Sequence, residues 1–507
     1  MTTEQSGPMT PQAAMTLAAI AATAATTRPS GEQVSQQCNR AFLGVNQLLT
    51  DSSLATRGTW ILNWIAMSPA NANLAYLAQN RDGSNQFAVV LRGTVGTVTD
   101  LLEDLDVGTV VPFGFAGSPT DPACVSTGAM TAFSQVLTMN SVGVTLAQAL
   151  TGALAKAPAD PTVHVIGHSL GGCLATMVGA YLQAQSWPGD PQFGLYTFAA
   201  PSAGNAAFAN HLSEELSWVV NQRYVNCWDI VPLAWTSLDE AKTWYPDEGP
   251  KANEDVRAVI SALAGLPGPN VYAQPGPAVP LNQHYAKHDP AVVKGSLQDF
   301  LGQVAYQHAN DTYLDLLGAP ALPSGPLVTG ISPDTGGPGT QVTVTGTGFN
   351  AAQGVALDFG TVACPRIAVS SDGTTITAYP PAGVGVVPVR VTTFLGTSPA
   401  VPTARFAYEG TAPVRGTAIS EDHGRTGTPV TVTGVNFGSD AKVFFGDNQA
   451  VGQVAPPDTI AATAPAPTKG VGKPKTVDIT VLSNGWSSPA SPADEFTYEE
   501  LEGPEHG

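Results

Sequence analysis

The chain is short of basic residues, of cysteine and of long apolar runs, and each shortage removes a class of function. Its 507 residues include 21 lysines and arginines against 40 aspartates and glutamates, a net charge of −19. The acid excess runs through the whole length, so neither end offers the basic face that nucleic acid or an anionic membrane requires. Cys38, Cys124, Cys173, Cys227 and Cys364 are scattered, with no C-x-x-C and no metal-ligand spacing. An odd, sparse set is a poor disulfide framework, so free thiols are expected, with a single bridge as the alternative. No run is long enough to span a membrane as a helix. The alanine-rich stretch from Met15 to Thr27 follows Glu4 and no lysine or arginine, so it lacks the basic start of a secretory signal. It reads as a weak helix opening at Thr10-Pro11, where proline suits the first turn. The compartment stays open.

What is present is globular in composition, 43% hydrophobic and 12% charged, with length for about three domains. Apolar strand candidates at Phe87–Leu91, Val163–Ile166, Leu195–Ala199 and Tyr224–Cys227 alternate with helical patterns such as Thr131–Leu137 and Leu170–Gln185. That alternation predicts an α/β domain over 35–318 with a mostly parallel sheet, preceded by an N-terminal helical, low-complexity segment at 1–34. Residues 319–325 have the composition of a linker. Beyond them come short β-rich runs that repeat. Gly339-Thr340-Gln341-Val342-Thr343-Val344-Thr345-Gly346 recurs 88 residues later as Gly427-Thr428-Pro429-Val430-Thr431-Val432-Thr433-Gly434. Phe406-Ala407-Tyr408-Glu409 is echoed by Phe496-Thr497-Tyr498-Glu499. Two all-β sandwiches are expected, at 326–409 and 412–499, before an acidic tail at 500–507. The Val-Thr alternation puts valines on one face and threonines on the other.

Chemistry is concentrated at Gly167-His168-Ser169-Leu170-Gly171-Gly172. An apolar strand precedes it and an apolar helix follows, which is the setting of a nucleophile elbow. Gly167 and Gly171 leave room for the tight turn. Ser169 then sits at a helix N-terminus, with the Leu170 N–H facing developing negative charge. A serine hydroxyl needs a base, and the base an orienting carboxylate. Asp229 follows the apolar run from Tyr224, at the sheet edge where α/β ligands bind, and is the favoured acid over Asp239 and Asp247. His164 reads as a satisfied core residue. Order along the chain leaves His284, His288 and His308 as candidate bases.

Several motifs in register resemble the class 3, fungal-type lipases of the α/β-hydrolase fold. They are Leu91-Arg92-Gly93-Thr94, the degraded helix entrance Val125-Ser126-Thr127-Gly128, the elbow with Cys173-Leu174-Ala175, Thr197-Phe198-Ala199-Ala200-Pro201-Ser202-Ala203-Gly204-Asn205, Asp229-Ile230-Val231-Pro232, and Tyr306-Gln307-His308 with Tyr313. The resemblance implies His308 as the base, with His284 as second choice. It implies Thr94 as an oxyanion donor beside Leu170. Ser126 and Ser202 replace a family histidine and arginine, changes that look structural.

Residues 95–107 form an amphipathic, acidic stretch where the family carries its lid. Residues 235–300 make an unusually long stretch between acid and base, either a surface excursion with its own small core or a cap. The β repeats resemble IPT/TIG immunoglobulin-like domains, which bind, space or display. Their partner here would be a surface, a polymer or another protein. The implied activity is serine ester hydrolysis, a lipase acting on long-chain acyl esters, with no metal or organic cofactor. A short-chain or polymer esterase, a phospholipase A1 on the same machinery, and a surface-binding protein with an inert hydrolase domain stay open.

Overall fold

Seven apolar runs between residues 60 and 281 join one sheet, and their side-chain alternation fills a core on each of its faces. The computed structural model describes residues 9–25, 33–92, 106–118, 120–244, 252–289, 297–349, 354–383, 385–393, 395–401, 403–408, 415–435, 441–455, 459–467, 475–483 and 486–499. The strands are β1 (Trp60–Met67), β2 (Leu74–Asn80), β3 (Gln86–Arg92), β4 (Thr162–His168), β5 (Gln192–Phe198), β6 (Val220–Asn226) and β7 (Ala278–Leu281). They lie side by side in that order. β1, β2 and β3 form an antiparallel meander, and β3 to β7 pair in parallel. In β3, Phe87, Val89 and Leu91 pack on one face and Ala88 and Val90 on the other. Both faces are apolar because both are covered, as parallel sheets require.

One face is covered by α1 (Pro11–Thr23) and α2 (Val34–Leu49). The opposite face is covered by α3 (Thr127–Thr138), α4 (Leu146–Leu154) and α5 (Leu170–Gln183). Thr10 caps α1 and Pro11 opens it, as expected. Residues 9–25 of this segment are not set apart, however. Met15, Leu17, Ile20 and several alanines are buried, and residues 9–25 belong to the same unit as the sheet. A helix that is apolar nearly all round is stable only when buried. Tyr76 donates to the Leu17 carbonyl at 2.7 Å, and Tyr196 to that of Met9 at 2.6 Å.

The stretch from 235 to 300 also differs from its expected form. Among its described residues, Trp235, Val256, Ile260, Leu263, Tyr272 and Tyr285 join the main core under α5 and build no core of their own. β7 becomes the edge strand of the sheet, the position where Pro280 is tolerated. α6 (Glu254–Gly265) buries Val256, Ile260 and Leu263 at helical spacing.

A second unit holds the β-rich residues. In the first repeat Val342 and Val344 are buried while Thr343 and Thr345 are not, and Val430 and Val432 repeat this in the second. Phe359, Phe406 and Tyr408 meet edge to face in one copy, and Phe445, Phe496 and Tyr498 do the same in the other. The five cysteines are free thiols, with Cys173 and Cys364 buried. Among the described residues no helix is long and apolar enough to cross a membrane.

Candidate active site

The carboxyl ends of β4 and β6 and the end of one later helix bring three side chains together. Ser169 stands between β4 and α5 at φ +59° and ψ −133°, a conformation that side chains rarely adopt. Its N–H is held by the Phe198 carbonyl at 2.9 Å. The turn closes because Gly167 has no Cβ: one built there would stand 2.0 Å from the Gly171 carbonyl oxygen. Gly171 enters through that carbonyl, and Gly172 is crowded too, its Cβ position lying 2.8 Å from the Ala200 methyl. Leu170 opens α5, so its N–H is one of the groups a helix leaves without an internal partner.

His308 closes α7 (Leu297–His308). The buried face of that helix is Phe300, Gln303, Val304, Gln307 and His308, one helical stripe, so the stripe that packs α7 also aims the imidazole inward. Its Nε2 lies 2.8 Å from Ser169 Oγ and its Nδ1 2.8 Å from Asp229 Oδ2. Asp229 is fully buried just past β6, and its Oδ1 accepts the Val231 N–H at 3.0 Å. A carboxylate there is tolerable only with several donors.

A third donor is Tyr313, whose hydroxyl reaches Oδ2 at 2.9 Å while accepting the Asn226 N–H at 3.0 Å. Burial, and then the neighbouring Asp229, hold the Tyr313 phenol well above its ordinary range, so it stays a donor. The Asn226 carboxamide in turn donates to the Gln307 carbonyl at 2.9 Å and to its side-chain oxygen at 2.6 Å. Tyr313, Asn226 and Gln307 had no role assigned from sequence. The available signal was polar residues in otherwise apolar elements, together with Tyr313 in the motif that carries His308.

His168, the variable residue of the elbow, lies with its ring centroid 4.9 Å from that of His308. Burial first, then the charge of His308, push its imidazole well below the ordinary histidine range, against a weaker hydrogen bond to the His308 backbone. His164 is a core residue but not a satisfied one. Neither ring nitrogen has a hydrogen-bond partner among the described residues, and burial lowers its pKa to about 4.

His284 is exposed on the turn after β7 and is not part of this cluster. Thr94 lies outside the described residues, as does residues 95–105 of the acidic stretch. Ser126 caps α3 by accepting the Ala129 N–H, and Ser202 donates to the Ala234 carbonyl, so both have structural partners. Among the described residues no group of three or more His, Cys, Asp or Glu is placed to hold a metal ion.

Comparison with known proteins gives the family of each part of the chain. Residues 88–237 match lipase (class 3), and residues 326–408 and 417–498 each match the IPT/TIG domain. The chain carries a class 3 lipase domain followed by two IPT/TIG domains. A secreted mono- and diacylglycerol lipase 1 of Fusarium solani is 44% identical over 59 residues, which is 11% of this chain and 16% of that protein. The match therefore spans about a sixth of that relative's length. Among solved structures, M37 lipase superposes with a TM-score of 0.51 at 19% identity, covering 61% of this chain and 93% of that one. At that identity the likeness concerns the fold, here an α/β lipase-like domain with the all-β domains beyond it.

Proposed function

We propose that this protein is a serine carboxylic ester hydrolase in which Ser169, His308 and Asp229 act as a catalytic triad. The observation that carries the reading is the unbroken chain of two 2.8 Å contacts from Ser169 Oγ through His308 to Asp229. Ser169 Oγ attacks the ester carbonyl as His308 Nε2 takes its proton. The tetrahedral oxyanion forms at the N-terminus of α5, where the Leu170 N–H is one donor and Thr94, by the family motif, the other. Collapse expels the alcohol, which takes the proton back from Nε2. Water activated by the same imidazole then frees the acid. Asp229 holds the Nδ1 proton and the ring orientation throughout.

The hydrolase domain in this reading runs from α1 to residue 318, and the β domains cover 326–409 and 412–499. The β domains tether the enzyme to a surface, a polymer or another protein. Long-chain acyl esters are the proposed substrates. The name of the Fusarium relative makes partial glycerides the first natural lipids to try.

The test is hydrolysis of p-nitrophenyl esters from short to long acyl chains, wild type beside Ser169→Ala. The expected result is a rate that rises toward long chains and falls roughly a thousandfold or more in the variant. A rate confined to short chains would replace the lipase by an esterase. Turnover that survives Ser169→Ala would refute the triad.

A further inference from the structure

Away from Ser169 the lipase domain has a cleft of about 550 Å³, lined by residues from the C-terminal end of α5, the start of β5 and the segment leading into β6. The helix alone separates it from the elbow by about 20 Å, because Ser169 precedes the first residue of α5 and Gln183 is its last. The cleft is thus separate from the elbow, with a volume in the range of small-molecule pockets.

Its lining is specific in chemistry. Trp187 and Trp218 supply carbon surface, while Gln183, Gln192, Ser217 and Asp190 supply polar groups. Both indole N–H groups are already engaged, Trp187 with the Leu182 carbonyl at 2.6 Å and Trp218 with that of Leu212 at 2.8 Å. The rings are therefore held before any ligand arrives, and they offer only apolar surface. Trp218 also lies against Gly179, where a Cβ would come within 2.8 Å of the ring, so glycine there lets the indole rest on α5. Gln183 keeps a buried carboxamide nitrogen with no partner among the described residues, a donor that rotation of the side chain would offer to a ligand.

Among the described residues no lysine or arginine lines the cleft, and Asp190 is its charged group, which disfavours an anion. Carboxamides and hydroxyls both donate and accept, as sugar hydroxyls do, and indoles suit the C–H faces of a pyranose ring. We propose that this cleft is a binding subsite for neutral oligosaccharides, independent of the ester chemistry at Ser169.

The full chain, titrated with cellohexaose, maltohexaose and mannohexaose, tests this by tryptophan fluorescence and calorimetry. The expected result is saturable binding of at least one with Kd about 1 mM or tighter. Trp187→Ala and Gln183→Leu should each weaken it about tenfold, with Trp187→Phe losing less. Hydrolysis of soluble p-nitrophenyl esters should be unchanged in Gln183→Leu, and if Trp187→Ala fails to fold, Gln183→Leu decides alone. No saturation with any of the three up to about 10 mM would overturn the proposal. Binding that survives both substitutions would overturn it too, by placing the sugar elsewhere on the chain. Neither outcome depends on Ser169, so failure here leaves the hydrolase reading untouched.

Discussion

Replacing Gly167 with alanine probes the elbow at its tightest point. The new methyl would stand 2.0 Å from the Gly171 oxygen, 2.2 Å from its carbon and 2.6 Å from the Gly172 nitrogen. All three are backbone atoms, so no side-chain rotation relieves the clash. Real Cβ atoms essentially never approach closer than 3.0 Å, so the turn must open by at least the 1.0 Å between 3.0 and 2.0 Å. It has little freedom to do so. β4 is paired on both sides at this residue, with Leu91 and with Thr197, and the Ser169 N–H is fixed to Phe198. Overpacking costs about 1–3 kcal/mol, and a rigid backbone site belongs at the upper end or beyond. At about 3 kcal/mol the melting temperature of the lipase unit should fall by about 5 °C. Moving Ser169 by about 1 Å from His308 should also cost about 100-fold in turnover by the remaining folded enzyme. Thermal unfolding by circular dichroism and p-nitrophenyl ester hydrolysis at 25 °C read the two effects. Gly172→Ala, whose nearest neighbour is the Ala200 methyl at 2.8 Å, should be milder on both counts. A Gly167→Ala protein matching wild type in melting and rate would refute the elbow geometry. Lost stability with full turnover would separate the turn from the chemistry.

Two further substitutions test the surroundings. Tyr313→Phe removes one donor from buried Asp229 and the acceptor of the Asn226 N–H, so it should cost about 1.5–3 kcal/mol and slow turnover without abolishing it. Unchanged melting and kcat would remove Tyr313 from the site. His164→Leu reports on a histidine that folds neutral. Its pKa is depressed from 6.5 to about 4 in the fold, so the unfolded chain binds a proton that the native state refuses, and stability is lost as pH falls from 6.5 toward 4. The loss amounts to about 3 kcal/mol at the acid end. The leucine variant should therefore melt closer to its pH 7 temperature at pH 4.5 than wild type does, and an equal acid-induced drop in both would show that His164 does not carry this penalty.

Much of the architecture was legible because it rests on local alternation. The Val-Thr repeats sorted valine inward and threonine outward with no further information, and the apolar runs at β3, β4, β5 and β6 needed only their length and the helices between them. What stayed unread depends on partners distant in sequence. α1 is weakly patterned because it is enclosed on nearly every side, and composition alone cannot tell such a helix from a low-complexity leader. β7 carries Pro280 within four residues, a pattern that argues against a strand unless the strand is known to lie at an edge. The hydrophobic residues of 235–300 were visible, but their merger with the core under α5 was not, since periodicity does not report which surface a segment covers.

The site itself was marked by residues that break the pattern of their own element. On α7 the stripe that must be apolar for packing reads Phe300, Gln303, Val304, Gln307, His308. Polar residues at core positions cost free energy if left unpaired: Gln303 accepts the Asp289 N–H at 3.2 Å while its Nε2 has no partner among the described residues, whereas Gln307 and His308 are met across the interface. Gln307 receives Asn226, His308 receives Ser169 and Asp229, and the same Asn226 fastens to Tyr313 on the next helix. These bonds tie the acid loop, the base and the following helix into one buried network whose members satisfy one another. His164 lies outside it with both ring nitrogens unpartnered among the described residues, and burial lowers its pKa to about 4. The contrast separates a histidine that the fold merely contains from one that the fold is arranged around. It follows that Asn226→Ala should impair turnover although its side chain touches neither the serine nor the imidazole, whereas an Asn226→Ala enzyme with wild-type kcat would mean that Asp229 and His308 are positioned by their own contacts alone.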